Sequence, residues 1–332
     1  MADEPLALRL LAGFRLSRAV WLAARLRLAD RVGDGTAAVR ELAAASETDP
    51  DALERLLRAL AAFGVFRFDV GGRVGQSPAS ELLRSDHPRS QRGWIECVLG
   101  GEMFEAWGEL ESAVRTGRPA FDARHGMSWV EYYRQHEDAA ARFAEAMTAT
   151  TAAFEDALLA AGPFPPFALA VDVGGSEGSL LRRLLERSPD ARGVLFDLPE
   201  VLARRRTTQP DDLGGRLDAV AGHFFEAVPA GGDLYLLKFI LHDWDDERAV
   251  AILDRVRAAA APGGRIAIVE TVLPDTPAEH HGWHFDLNML AVTGGRERAA
   301  AGFAALLERA GCRIERVTPT ESPLSVILAA TA

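Results

Sequence analysis

Residues 171–180, VDVGGSEGSL, place three glycines between a short apolar run and the start of an amphipathic pattern. The apolar run predicts a strand that ends at Val173, and the pattern predicts a helix that begins near Gly178. Glycine has no Cβ, so the backbone at Gly174, Gly175 and Gly178 can approach a ligand closely. The segment predicts a nucleotide-binding turn, although a glycine turn alone is equally compatible with a simple tight turn.

The chain beyond this turn alternates between apolar runs and helical patterns such as SLLRRLLERS and ERAVAILDRVRAAAA. Strands that alternate with helices favour a mostly parallel sheet covered on both faces, so the predicted fold class is α/β. The predicted strands are residues 167–173, 193–196, 217–221, 234–237, 266–269, 313–318 and 325–329.

The first 83 residues have apolar side chains at helical spacing, and Asp49 with Pro50 marks the start of one helix. The following FRFDVGGRVGQSP predicts two short strands joined at Gly71 and Gly72, which is typical of a winged helix. A winged helix suggests DNA binding. The arginines of this region are nearly balanced by acidic residues, however, so the basic surface of a DNA reader is missing.

A second helical stretch, residues 92–159, is rich in large side chains and ends at a break in 162–166, GPFPP. The predicted organisation is therefore a winged-helix domain at 1–91, a helical connector at 92–162 and an α/β domain at 163–332.

The chain of 332 residues has a formal net charge of −11, which argues against a general nucleic-acid surface. Its two cysteines, Cys97 and Cys312, are too few for a disulfide framework and lack the spacing of a zinc site. Arginines interrupt every apolar stretch near the amino terminus, so neither secretion nor membrane insertion is supported. We expect a cytoplasmic protein with a small-molecule partner, no nucleic acid, no membrane and no metal.

A second strand end strengthens the interpretation of the glycine turn. The run VLFDLPE places Asp197 at the carboxyl edge of the predicted sheet, where an acidic side chain can bind a ribose diol. The spacing GGSEG differs from the GxGxxG pattern, so a nicotinamide cofactor is disfavoured.

Together with this turn and Asp197, the segments HDWDDE, DLNML and GGRER make the chain resemble the caffeate-type O-methyltransferases. That family includes plant phenol methyltransferases and bacterial enzymes that tailor aromatic polyketides. The resemblance covers nearly the whole chain. It implies a class I methyltransferase Rossmann-like sheet preceded by a mostly helical winged-helix dimerisation domain, through which the chain forms a homodimer. It also implies S-adenosylmethionine as methyl donor, S-adenosylhomocysteine as its product, and a small aromatic acceptor.

The resemblance also implies roles for individual residues. His242 is the implied catalytic base, followed by Asp243, with Glu270 and Glu297 holding its imidazole. The implied donor-binding residues are Asp172, Gly174, Gly175, Ser176, Gly178, Asp197, Leu198, His223, Phe224, Phe225 and Lys238. The implied acceptor residues are Trp129, Tyr133, Phe143, Met147, His284, Asn288 and Met289, and core packing is an equally good explanation of Phe143 or Met147 alone.

The chemistry explains these residue types. A phenol has a reference pKa of about 10 and a histidine one of about 6.5, so a histidine can take the phenol proton as the oxygen attacks a methyl group. A carboxylate bonded to the other ring nitrogen selects the tautomer and favours the imidazolium. The alternative for a lone histidine is a helix cap or a core residue.

Lys238 is the single lysine among 37 basic residues, and the resemblance places it against the donor. A compact ammonium cannot be exchanged for a planar guanidinium without changing the site, although Lys238 could also be a chance survivor in an arginine-rich chain.

The chain departs from the family at two positions: His223 replaces an acidic residue that accepts from the adenine amino group, and Ser176 replaces a glycine. A neutral histidine still offers one acceptor nitrogen, and serine is harmless unless its φ is positive. These departures leave open a non-methylating relative, in which the bound donor positions a substrate for hydroxylation, decarboxylation or rearrangement. A winged-helix regulator with a ligand-sensing domain is a third hypothesis.

Overall fold

The computed structural model describes residues 6–205 and 213–331, which fall into two compact units. Unit 1 comprises residues up to 108 together with 130–150, and unit 2 comprises 109–129 together with the chain from 151 onward. Residues 92–162, predicted as one connector, are divided between the two units. The domain boundaries at 91 and 162 stay a prediction.

The helices are α1 Leu6–Arg25, α2 Leu28–Val32, α3 Val39–Ser46, α4 Pro50–Ala62, α5 Pro78–Glu81, α6 Arg92–Val98, α7 Gly101–Ala106, α8 Leu110–Thr116, α9 Ala120–His125, α10 Trp129–Gln135, α11 Glu137–Ala161, α12 Ser179–Arg187, α13 Pro199–Arg205, α14 Asp246–Ala259, α15 Gly282–Val292 and α16 Ala300–Arg309. Short 3₁₀ helices cover Trp107–Glu109 and Leu241–Asp243. None of the helices in the described ranges is both long and apolar enough to cross a membrane.

The strands are β1 Thr36–Ala37, β2 Phe66–Phe68, β3 Val74–Gln76, β4 Leu169–Val173, β5 Arg192–Asp197, β6 Leu217–Ala221, β7 Leu234–Lys238, β8 Arg265–Glu270, β9 Val272–Leu273, β10 Arg298–Ala299, β11 Cys312–Pro319 and β12 Ser325–Thr331. All seven strands predicted beyond residue 166 are therefore confirmed, each within two residues at either end.

Unit 1 contains the predicted winged helix. Helix α4 begins as expected, because the Asp49 side chain accepts a hydrogen bond from the amide of Ala52 at 2.8 Å and Pro50 occupies the first turn. Strands β2 and β3 form the antiparallel hairpin, and β1 pairs with the other edge of β3. Leu53, Leu57 and Leu60 of α4 face an apolar core that α2 and α3 complete.

Unit 2 is built on a seven-stranded sheet in the order β11-β12-β8-β7-β4-β5-β6. The five strands from β8 to β6 are parallel, and β12 and β11 add antiparallel strands at one edge. The chain moves outward from β4 through β5 to β6 and then returns to β7 on the other side. Such a reversal opens a crevice at the carboxyl ends of the two central strands, where α/β proteins bind ligands.

Both faces of the central strands β4, β7 and β8 are buried, as the continuous apolar runs predict, whereas the edge strand β6 is largely exposed. Leu234 and Leu236 of β7 pack with α12 on one face, while Tyr235 and Leu237 pack with α14 and α16 on the other. The sheet therefore holds the carboxyl ends of β4, β5, β7 and β8 rigidly along one edge, and the predicted donor and catalytic residues follow these ends.

Candidate active site

The glycine turn follows β4 as predicted and lies against the end of β5. Gly174, with φ of +70°, donates a backbone hydrogen bond to the carbonyl of Phe196 at 2.8 Å. Ser176 has a φ of +53°, so the condition under which serine would be harmless is not met. A non-glycine residue in this left-handed region costs about 1 kcal/mol or more. Ser176 therefore keeps the left-handed backbone conformation of a glycine in spite of this energetic cost.

A missing side chain at position 174 is required by packing as well as by backbone conformation. A Cβ on Gly174 would lie 2.5 Å from Cδ1 of Ile240, and 3.8 Å from the ring of Phe224. A Cβ on Gly175 would lie 2.5 Å from the carboxyl group of Asp172. The turn is therefore a cradle lined by main chain, which suits close approach of a nucleoside-containing donor.

Asp172 lies beneath this cradle and is 1% exposed. Burial raises the pKa of its carboxyl group to about 7, Lys238 opposes the rise, and Asp197 and Glu155 add to it. Neither carboxylate oxygen has a hydrogen-bond partner among the described residues. An orphaned carboxyl group under the turn fits a site that receives a cationic, hydrogen-bond-donating ligand, and S-adenosylmethionine carries both a sulfonium and an ammonium.

Asp197 ends β5 and is held in place by the two segments around it. Its Oδ2 accepts from the amide of Ser176 at 2.8 Å, and its Oδ1 accepts from the amide of Leu198 at 2.7 Å. These two backbone contacts orient the carboxylate at the end of β5. Its position at the sheet edge beside the turn is the one expected for binding a ribose diol.

The predicted donor-binding residues Phe224 and Phe225 belong to an aromatic cluster after β6. The ring centroids of Phe224 and Phe225 lie 5.0 Å apart, and Trp244 lies 4.9 Å from Phe225. His223 Nδ1 accepts from the amide of Phe225 at 3.3 Å, so in the neutral ring Nε2 carries the proton. In the neutral ring Nδ1 is the acceptor nitrogen, which was expected to accept from the adenine amino group. It already accepts from the backbone amide of Phe225.

The predicted catalytic loop follows β7 and is organised by Glu270, the last residue of β8. The fully buried Oε1 of Glu270 accepts from the amides of Ile240, Leu241 and His242 at 3.2, 2.6 and 3.2 Å. Burial raises the pKa of Glu270 to about 7, while His242 opposes the rise. The sequence-based expectation that Glu270 holds the imidazole is corrected: it holds the backbone that carries the imidazole, because three amides at the start of the 3₁₀ helix converge on it.

Glu297 makes the contact that the resemblance implies. Its Oε1 lies 2.8 Å from Nδ1 of His242, and both side chains are buried. Because a carboxylate only accepts, Nδ1 carries the proton and Nε2 is left to accept another. Asp243 Oδ1 lies 3.7 Å from Nε2, too far for a hydrogen bond but close enough for its charge to act.

Three carboxyl groups set the proton affinity of His242. Burial lowers its pKa, but the negative charges of Asp243, Glu297 and Glu270 outweigh burial and raise the pKa to about 10. Burial raises the pKa of Asp243 to about 6, opposed by His242. The imidazole is therefore a strong base that is protonated at neutral pH in this state and must release that proton before it can accept another.

Two residues missed by the sequence analysis hold the same loop. Arg298, 5% exposed, donates to the carbonyls of Leu241 and Trp244 at 3.0 and 2.8 Å and pairs with Asp246. A Cβ on Gly295 would lie 1.9 Å from the carbonyl oxygen of His242. Both stand beside Glu297 in GGRER. The sequence analysis noted the segment GGRER as a whole, but only the fold shows that this segment packs against the loop that carries His242.

The predicted acceptor residues fall in both units. In unit 1 the rings of Tyr133 and Phe143 stack at 4.9 Å, and the Tyr133 hydroxyl donates to Glu102 at 3.2 Å. Met147 is half-buried. In unit 2, Met289 is 7% exposed. His284 is exposed, and Asn288 and Trp129 are half-buried. The structure thus brings Tyr133 and Phe143 together and places Met289 among core residues, while the acceptor roles stay predictions.

Among the described residues, no group of three or more His, Cys, Asp or Glu side chains is arranged to hold a metal ion.

The parallel sheet, the glycine turn and the carboxylate at the end of β5 fit a class I methyltransferase, and comparison with known proteins gives the family. Residues 107–313 match the model of the O-methyltransferase domain, and residues 8–86 match the O-methyltransferase dimerisation domain. The chain therefore belongs to the O-methyltransferase family. The predicted fold class, S-adenosylmethionine as methyl donor, and a homodimer through the amino-terminal domain are confirmed.

Relatives in two bacteria match over nearly their full length. The chain is 38% identical to phenazine O-methyltransferase PhzM of Lysobacter antibioticus, over 96% of this chain and 94% of the relative. It is 39% identical to O-demethylpuromycin-O-methyltransferase of Streptomyces alboniger, over 97% and 88%. Human N-acetylserotonin methyltransferase in complex with SAM superposes with a TM-score of 0.91 at 26% identity, covering 100% of this chain and 99% of that one.

Proposed function

We propose that the chain transfers the methyl group of S-adenosylmethionine to a phenolic hydroxyl of an aromatic secondary metabolite, with His242 as the base. The observation that carries this proposal is the buried contact between Nδ1 of His242, on the loop that follows β7, and Oε1 of Glu297, just before β10, at 2.8 Å. This pair leaves Nε2 as the basic nitrogen. The neighbouring strand β4 leads into the donor cradle, so base and donor share one sheet edge.

The reaction balances without a further reactant. The phenolic oxygen gives its proton to Nε2 of His242 as it forms a bond to the methyl carbon, and the bond from that carbon to sulfur breaks with its electron pair remaining on sulfur. Bound S-adenosylmethionine supplies the electrophilic methyl carbon. Glu297 stabilises the resulting imidazolium through Nδ1, and Asp243 adds negative charge near Nε2. Holding oxygen, carbon and sulfur in line accounts for most of the remaining acceleration.

The raised pKa of His242 fits this role once the donor's charge is included. A sulfonium held in the neighbouring cradle disfavours a second positive charge on the imidazole, so donor binding lowers the pKa of His242 and favours release of its resting proton. The ring then regains a proton from the acceptor during the reaction.

We propose that the acceptor is a planar hydroxylated aromatic compound of an antibiotic biosynthesis pathway. Support comes from relatives of the chain, which include a 3-amino-4-hydroxybenzoate 4-O-methyltransferase of Streptomyces cremeus and a 2,7-dihydroxy-5-methyl-1-naphthoate 7-O-methyltransferase of Streptomyces carzinostaticus. We also propose a cytoplasmic location, consistent with two buried cysteines that are not joined in a disulfide.

The test is incubation of the protein with S-adenosylmethionine and a panel of hydroxylated benzoates, naphthoates and phenazines. We expect a product heavier by one methylene and one S-adenosylhomocysteine per product. His242→Ala should lower kcat about 10²- to 10⁴-fold, as expected for loss of a general base, with His87→Ala as a control in unit 1. Full activity of His242→Ala would contradict the role of His242 as the base. Conversion of an acceptor without S-adenosylhomocysteine would instead support the non-methylating alternative.

A further inference from the structure

Glu155, which the sequence analysis did not single out, is a buried carboxylate near the donor cradle. It lies in the part of α11 that belongs to unit 2 and is 1% exposed. Burying a charged side chain is unfavourable unless the charge is paired and hydrogen-bonded, so a carboxylate in this position needs a structural explanation.

The partners of Glu155 are the residues that flank the cradle. Its Oε1 lies 3.2 Å from Nζ of Lys238, at the end of β7, and accepts from the hydroxyl of Ser179 at 2.5 Å, in the first turn of α12. Arg183 approaches Oε2 at 3.8 Å and pairs with the exposed Asp156 at 2.5 Å. One carboxylate oxygen therefore joins the helix after the glycine turn to the strand that leads into the catalytic loop.

The same contact explains why position 238 holds a lysine. The side chain of Lys238 is 9% exposed, and its charge also acts on the orphaned carboxyl group of Asp172. A single ammonium can serve two buried carboxyl groups on different elements, because its three donors rotate around one compact charge. A guanidinium is planar and larger, and it cannot occupy the same enclosed position without displacing its neighbours.

We propose that Glu155 is a positioning residue for the methyl-donor site, which holds the ammonium of Lys238 beside Asp172 and the first turn of α12 against the cradle. It acts through Lys238 and touches neither the acceptor nor the reacting atoms. Loss of its charge leaves the buried ammonium without its nearest partner, and the ammonium then moves towards Asp172, which alters the charge that the donor meets. The inference rests on the proposed placement of Lys238 at the donor site.

The experiment compares Glu155→Gln with Asp156→Asn, its exposed neighbour on the same helix. Titration calorimetry with S-adenosylhomocysteine should show Kd raised about ten-fold or more in Glu155→Gln, as expected for loss of a hydrogen bond to a charged group. Asp156→Asn should change Kd less than two-fold, because an exposed ion pair contributes little. Steady-state assays should show a raised donor KM in Glu155→Gln, with kcat and the acceptor KM within about two-fold.

A double-mutant cycle tests whether Glu155 acts through Lys238. Kd for S-adenosylhomocysteine in Glu155→Gln/Lys238→Met should equal that of Lys238→Met alone, because no ammonium remains to be positioned and the amide oxygen of Gln can still accept from the hydroxyl of Ser179. Glu155→Asp should recover part of the affinity. Lys238→Arg should raise Kd although it preserves the charge.

The outcomes separate this inference from the proposed function. Wild-type Kd in Glu155→Gln, or additive effects in the double variant, would overturn the inference and leave the methyltransferase reaction untouched. A fall in kcat and acceptor affinity that parallels a loss of thermal stability would show that Glu155 is merely structural, which also overturns it. Wild-type protein that binds no S-adenosylhomocysteine would instead contradict the placement of Lys238 at a donor site.

Discussion

Two strand-to-helix connections of the same sheet form the site in opposite ways. The connection after β4 is made by missing side chains, with positive φ angles at Gly174, Ser176 and Gly178. The connection after β7 is held by buried charged side chains, since Glu270 binds its amides and Arg298 its carbonyls. We therefore expect the backbone of the first connection to bind the proposed donor, whereas the proposed base requires a loop that buried side chains hold in one orientation.

The largest effect expected from this comparison is at Gly295, where one methyl group collides with the catalytic loop. A Cβ there would lie 1.9 Å from the carbonyl oxygen of His242 and 2.7 Å from the amide of Trp244, so the loop must shift. Gly295→Ala should lower kcat about 10²-fold, the cost of misplacing a catalytic group by about 1 Å. The control is Gly108→Ala, whose Cβ would meet nothing within 4 Å. Equal kcat values for both variants would contradict the packing argument.

A change of pH dependence is expected next, at Glu297. Because its carboxylate raises the pKa of His242, Glu297→Gln should move the acid limb of kcat/KM to lower pH by about one to three units, the effect of removing a close opposite charge. In the wild type the limb belongs to a free-enzyme base with pKa about 10, so kcat/KM should still rise above neutral pH. A limb that stays in place in Glu297→Gln would show that another group controls it.

The same raised pKa has a consequence for stability. A folded-state pKa of about 10 against an ordinary 6.5 means that the protonated ring stabilises the fold fully below pH 6.5, and this contribution is lost as pH rises towards 10. Urea titrations of the wild type and Glu297→Gln between pH 6 and pH 10 should therefore converge at high pH. A difference in free energy of unfolding that stays constant with pH would argue against a charged imidazole in the folded state.

A smaller effect is expected in the cradle. Gly174→Ala places a Cβ 2.5 Å from a flexible isoleucine side chain and requires alanine at φ of +70°. We expect the donor KM to rise about ten-fold, equivalent to about 1.4 kcal/mol, with a smaller change in kcat. Initial rates at varied S-adenosylmethionine measure it, and a change confined to kcat would show that the turn does not bind the donor.

The smallest effect is at Ser176, where the chain departs from the family. Ser176→Gly should relieve the backbone strain at φ of +53°. Part of this gain is lost because glycine raises the conformational entropy of the unfolded chain. We expect a net stabilisation of about 0.5 kcal/mol and a Tm higher by about 1 °C. Ser188→Gly is the matched control, because φ there is −128° and no strain is relieved. A lower Tm for Ser176→Gly would mean that its side chain contributes more than its backbone costs.

The strand pattern, the glycine turn and Asp197 could be read from the sequence because each depends on local spacing. Buried parallel strands need continuous apolar runs, and a backbone that approaches a ligand needs glycine, whatever the rest of the chain does. The His242 and Glu297 pair could be expected only through the resemblance, since 55 residues separate the two positions. The role of Glu270 was misjudged for the same reason: an acidic residue at a strand end can serve a ring or a row of amides.

Sequence alone determined an α/β chain with a glycine turn after the first strand of its sheet, a winged-helix amino terminus and a single lysine that required an explanation. Tertiary structure decided which groups meet that lysine, which carboxylate reaches the imidazole, and which nitrogen of His223 is already used. These outcomes depend on contacts between elements far apart in the chain. In a buried site such contacts set protonation and orientation through distances of a few ångströms, which residue spacing does not encode.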